Sequence, residues 1–216
     1  GEKLMSGSEN KILIGNCSGF YGDRLSAAKD MVEGGPLDVL TGDYLAELTM
    51  TILYNQRMQR GEDHGYVGTF LKQFKDVALA CEERGIKIVT NAGGLNPVSM
   101  AGKVEEIVQE LGLNLKVAYI DGDDLIPRLD ELNQEGELLK NIEKDVALAD
   151  YGKKPVTANA YFAPTNFAKL FSNSSTFDPL PHHPLSITCF NKSNSSSPPE
   201  GLKTGKIFFL IFTNNN

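Results

Sequence analysis

Residues 11–43 read KILIGNCSGFYGDRLSAAKDMVEGGPLDVLTGD. The first seven, KILIGNC, are a short apolar run that gives way to small polar residues, the pattern of a buried strand. Residues 23–34 then show helical spacing. Asp23 stands where a cap is expected, and Gly34, Gly35 and Pro36 stop the helix. LDVLTGD (37–43) is a second strand. Strand, helix, strand is a βαβ unit, and a right-handed crossover sets its two strands parallel in one sheet.

The alternation continues outward. Helices are expected over residues 44–60, 69–84, 97–112 and 125–136, and strands over 86–91, 116–121 and 155–162. Pro97 and Gly112 bracket the third of these helices in the usual start-and-stop sense. The expected fold is α/β: a doubly wound, Rossmann-like, mostly parallel sheet of about five strands with helices on both faces.

The composition sets bounds on partners. The chain has 216 residues, 41% hydrophobic and 23% charged, which suits a globular domain that needs no disulfide staples. A net charge of −7 disfavours phosphate backbones and anionic lipid, so neither nucleic acid nor membrane is an expected partner. Cys17, Cys81 and Cys189 are widely spaced and form no CxxC pair. That points to a reducing compartment, with the cytoplasm as the expected location. The chain starts at Gly1, so an N-terminal address lies open.

Composition also divides the chain. Residues 162–216 hold six of the ten prolines but only two of the 28 acidic residues. Residues 1–10 are expected to be a flexible N-terminus, 11–162 the α/β domain, and 163–216 a low-complexity, disordered tail. Within the tail, residues 207–212 form an uncharged, β-prone run.

Open parallel sheets bind ligands beyond the carboxyl ends of their strands. Small polar clusters come after each expected strand here, and the opposite ends carry nothing comparable. After the first strand, Gly15, Asn16, Ser18, Gly19, Asp23 and Arg24 form a glycine-spaced turn. It serves either as an anion cradle or simply as a tight connection. After the second comes Asp43, a lone carboxylate suited to acid–base work. After the third come Asn91, Gly93, Gly94 and Asn96. Capping accounts for Asn96, whereas Asn91 and the paired glycines look like room for a ligand. After the fourth come Asp121, Asp123 and Asp124, expected to hold Mg²⁺, to act as acid and base, or, for Asp123, to cap the next helix. Asn159 lies on the fifth. Asp43 and Asp123 are the catalytic candidates, and the other glycines, asparagines and polar residues named here are the ligand-binding candidates. Cys17 approaches a helix start, where thiols are activated, but has no evident base beside it.

Five stretches together resemble the acyclic terpene utilisation (AtuA-like) family: IGNCSGFYGDR (14–24), LDVLTGDYLAELTM (37–50), NAGGLNP (91–97), YIDGDDL (119–125) and TANAYF (157–162). The resemblance covers residues 11–162 and implies a link to acyclic terpene and acyl-CoA catabolism. It brings no agreed catalytic set. In the family the chain runs on after the NAY segment into further α/β structure with a Gly-rich, Thr-Gly-Arg-containing stretch; here residue 163 begins the biased tail. An incomplete domain, with its tail from read-through or a wrong splice, is therefore expected. The functional expectation is binding of a small-molecule anion, such as a CoA thioester, at the sheet rim, with or without Mg²⁺. The alternatives are a non-catalytic ligand-binding or accessory subunit, and an inactive truncated product; a homo-oligomer or a partner enzyme is the expected assembly.

Overall fold

A computed structural model describes residues 11–137, 139–141, 143–160, 186–189 and 208–213, the last two stretches as backbone only. In chain order the elements are β1 (Ile14–Asn16), α1 (Ala27–Gly34), β2 (Val39–Gly42), α2 (Glu47–Arg60), α3 (Gly68–Arg84), β3 (Lys87–Thr90), α4 (Pro97–Glu110), β4 (Leu115–Asp121), α5 (Leu129–Gln134), β5 (Ser186–Cys189) and β6 (Phe208–Thr213). Local chemistry explains the ends. Gly85 takes the left-handed conformation (φ 68°) and returns its N–H to the Cys81 and Glu82 carbonyls, closing α3. Asn96 caps α4 by accepting from the Ser99 amide at 3.1 Å, with Pro97 at the first helical position.

β1, β2 and β3 pair in parallel, with Ile14 opposite Val39 and Val39 opposite Lys87. The full order is β1-β2-β3-β6-β4-β5. β6 runs antiparallel to both β3 and β4, and β5 antiparallel to β4. β4 therefore points the same way as β3, and the carboxyl ends of β1, β2, β3 and β4 share one rim.

Three expectations need correction. The sheet is mixed: its parallel part comprises three adjacent strands. The segment expected as the fifth strand makes a single bridge, Asn159 to Asp124, and its described portion ends at Ala160. Pro155 lacks a donor, and the place beside β4 belongs to β5. The doubly wound arrangement is also not observed among the described residues. Strand order advances in one direction from β1 to β4, so right-handed crossovers lay α1 to α4 on one face. Val32 of α1, Leu53 of α2, Phe74 of α3 and Val104 of α4 accordingly share one apolar cluster with Leu40 and Ile88 of the sheet.

β1 was expected to be buried, yet Ile14 is 63% exposed because it lies on an edge strand and faces away from that cluster. On the covered face, Gly15 is a packing requirement. A Cβ there would stand 2.7 Å from Met31 Cγ, so its absence lets α1 settle onto β1. The expected disordered tail lies for the most part outside the described residues, and its two described stretches are β5 and β6. No helix among the described residues is long and apolar enough to cross a membrane.

Candidate functional site

The turns after β1, β2 and β3 are stapled to one another. Cys17 N donates to Thr41 O at 2.8 Å, and Asp43 N donates to Ser18 O at 3.0 Å. Asn91 then bridges the second and third turns. Its Oδ1 accepts from Tyr44 N at 2.8 Å and its Nδ2 donates to Asp43 Oδ1 at 2.5 Å. Asp43 is exposed and held in one orientation. Asn91 is thus spent on positioning Asp43 and Tyr44.

The turn after β1 folds on its own carboxylate. Asp23 Oδ2 accepts from Gly19 N at 2.9 Å, and Oδ1 accepts from Arg24 N at 2.8 Å. Asp23 was expected to cap α1; that helix begins at Ala27, and Asp23 closes the preceding turn instead. Two amides of this turn, those of Gly19 and Arg24, are thus taken by an internal anion. These amide bonds, Gly19's first, hold the Asp23 carboxyl below its ordinary value of 3.8. A depressed carboxylate stabilises the folded turn above its unfolded pKa, and that stabilisation is lost as pH falls through the lower folded value. The Gly19 amide resonance is expected to titrate with a midpoint below pH 3.8; a midpoint at or above it would contradict this closure.

Beside this turn, along the outer side of β1, runs a cleft of about 690 Å³. Asn16, Ser18, Gly19, Asp23 and Arg24 line one end, and Ala27, Met31 and Leu37 supply an apolar wall. The cleft follows α1 past its end to Gly35, a length of roughly 12 Å for eight helical residues. It has an elongated shape, polar at one end.

Behind it, Tyr44 is 1% exposed and donates its hydroxyl to Gln73 Oε1 at 2.6 Å. Gln73 Nε2 donates onward to the Arg24 carbonyl at 3.2 Å. This pair ties the second turn to α3 and the first turn to both. Sequence reasoning passed over it, although a glutamine between Phe70 and Phe74 on an apolar helix face is a visible signal.

Cys17 also lines the cleft, but it is 6% exposed and burial pushes its thiol up, against the opposing contact of the Tyr44 hydroxyl 3.9 Å away. Cys81 is pushed up to about 12, also by burial. Both are free and buried. Iodoacetamide at pH 8 is expected to label neither in the folded protein and both after unfolding; rapid native labelling of Cys17 would make it an activated thiol after all.

The third turn departs from expectation. A Cβ on Gly94, whose φ is +52°, would stand 2.3 Å from Leu53 Cδ1 and 2.9 Å from the Gly65 carbonyl oxygen. The room behind it is filled by protein, so Gly94 answers packing. Gly93 is buried alongside. Asn96 spends Oδ1 on its cap and Nδ2 on the Glu62 and His64 carbonyls.

β4's end lies two strand steps from β3, roughly 10 Å. There Asp123 is fully buried and accepts from Asn159 Nδ2 at 2.7 Å, while Asp124 Oδ1 accepts from the Ile126 amide at 3.0 Å. Leu125 N and Ala160 N complete the clasp by donating to Ala158 O and Asp123 O. Asp123 thereby fastens residues 158–160 to the loop after β4. Asp121, Asp123 and Asp124 do not gather as a Mg²⁺ site: among the described residues no three His, Cys, Asp or Glu side chains converge on a metal position.

A family model described as acyclic terpene utilisation family protein AtuA matches residues 12–173, three quarters of the chain. The chain belongs to the AtuA family. No curated protein and no solved structure matches it. The AtuA match spans every turn described above, from Asn16 to Asn159.

Proposed function

We propose that this AtuA-family chain binds an acyclic terpenoid carboxylic acid, free or as its CoA thioester, in the cleft beside β1. The hydrocarbon chain lies along Ala27, Met31 and Leu37, and the anionic head faces Arg24. One observation carries the reading. Four polar residues expected from the first turn, Asn16, Ser18, Asp23 and Arg24, share with the apolar Ala27, Met31 and Leu37 a cleft of about 690 Å³, within the size range of small-molecule sites. The family's description supplies the terpenoid class. Because Asp23 takes the Gly19 and Arg24 amides, head-group recognition is assigned to the Arg24 guanidinium.

The test is calorimetry and thermal melting of the full chain with geranic acid and with its CoA thioester. At a hundredfold excess over Kd, binding should stabilise the protein by about 2.7 kcal/mol. Arg24→Ala should weaken geranic acid about tenfold, the loss of one charge-assisted hydrogen bond. Unchanged affinity would place the head group elsewhere.

A holding role is favoured over covalent catalysis by the state of Cys17, whose buried thiol is raised. Asp43 is the exposed, oriented carboxylate left for acid–base work. Binding without turnover supports the accessory reading. Turnover abolished by Asp43→Asn, with binding intact, supports an enzyme.

A further inference from the structure

We propose that Asp30 latches Arg24 across the polar end of the cleft, so that a ligand must displace Asp30 to reach the guanidinium. This rests on the cleft reading above and assigns head-group selectivity to a residue that the sequence did not single out. Arg24 Nη2 lies 3.0 Å from Asp30 Oδ2, and both residues line the cleft. Ser26 Oγ donates to that same Oδ2 at 3.1 Å, and Asp30 N donates to Ser26 O at 2.8 Å, so the carboxylate is oriented by its own turn.

Arg24's backbone is fixed at both ends. Its amide donates to Asp23 and its carbonyl accepts from Gln73. Only the guanidinium is free to exchange partners. Both Asp23 oxygens already accept backbone amides, from Gly19 and Arg24, while the Arg24 charge also helps to hold that carboxyl low. The pair is open to water, with side chains 69% and 51% exposed, and such pairs hold weakly. A carboxylate ligand can therefore take Asp30's place, whereas a neutral ligand leaves the latch shut. Asp30 thus lowers affinity for acids without affecting their neutral analogues, and it keeps Arg24 from binding stray anions.

The experiment measures geranic acid and geranamide binding by calorimetry on the full chain carrying Asp30→Asn. Glu33→Gln is the charge control: it removes the same charge one turn away, from a residue that faces Lys29. Asp30→Asn should tighten geranic acid about threefold to fivefold and leave geranamide unchanged, while Glu33→Gln changes neither. Equal tightening by both variants would reduce the effect to net charge and overturn the latch. So would no tightening by Asp30→Asn, or tightening of the amide as well. Failure of the wild-type chain to bind geranic acid at all would overturn the cleft reading itself, and the latch with it. Melting curves confirm that each variant is folded at the titration temperature.

Discussion

Gly94→Ala is expected to destabilise the protein by about 3 kcal/mol and to lower Tm by roughly 10 °C. Two costs combine. An L side chain at φ +52° is strained, and its Cβ would overlap Leu53 Cδ1 at 2.3 Å and crowd the Gly65 carbonyl at 2.9 Å. Leu53 cannot move aside freely, since it is 0% exposed in the middle of the core. Leu53→Ala should cost about 2–5 kcal/mol alone by leaving a cavity. In that background Gly94→Ala should cost clearly less than by itself, because one of its two clashes is gone. Strict additivity of the two would show that the strain lies wholly in the backbone. Thermal or urea unfolding of the four variants in the cycle decides it.

Gln73→Ala is expected to cost about 2–3 kcal/mol, because it leaves the Tyr44 hydroxyl buried without its acceptor. The Tyr44 hydroxyl to Gln73 bond is 2.6 Å and both residues are almost fully buried. Burial pushes the Tyr44 phenol up, so it stays protonated and able to donate throughout the working range of pH. Tyr44→Phe combined with Gln73→Met should cost less than the two single changes added, since no buried polar group is then stranded. A second readout is functional. Gln73 Nε2 donates to the Arg24 carbonyl, so Gln73→Ala should weaken geranic acid binding several-fold at temperatures where the variant is still folded. A variant that binds as tightly as wild type would show that Arg24 needs no such tether.

Much of the fold was legible because its signals are local. The α3 stripe of Phe70, Phe74, Val77 and Cys81 reads as one helix face, and Gly85 as its stop. Asn96-Pro97 reads as a helix start and proved to be one. The fifth strand was misread because TANAY alternates like a strand, but Asn159 and its neighbours find their partners in a loop, through the clasp on Asp123. The doubly wound arrangement, not observed among the described residues, was unreadable for a different reason. Each βαβ unit has the same local pattern wherever its next strand is added, and the side on which strands accumulate is a global choice.

The candidate site divided in the same way. Asn16, Ser18, Gly19, Asp23 and Arg24 were legible from their place just beyond the first strand, and they do line one cleft. The roles within that set were not readable. Asp23 resembled a helix cap and is an internal anion, and Gly94 resembled ligand room and is filled by Leu53. Asp30, Met31 and Leu37 were missed, because nothing in a helix's spacing tells which of its side faces meets a groove rather than solvent.

By itself, the amino-acid sequence determined the succession of strands and helices from β1 to β4, the family, and the gathering of the first four polar turns on one rim. Hydrophobic period and glycine or proline punctuation act over a few residues, and parallel strands joined by crossovers necessarily present their carboxyl ends together. Tertiary structure alone decided the one-sided helical layer, the use of Gly94 for packing, the Tyr44–Gln73 tie and the placement of Arg24 opposite Asp30 at a cleft. Several of these depend on sub-ångström fit between residues 29 to 49 positions apart, such as Tyr44 with Gln73 and Gln73 with Arg24. Such distances are set by how whole elements pack, and no local pattern carries them.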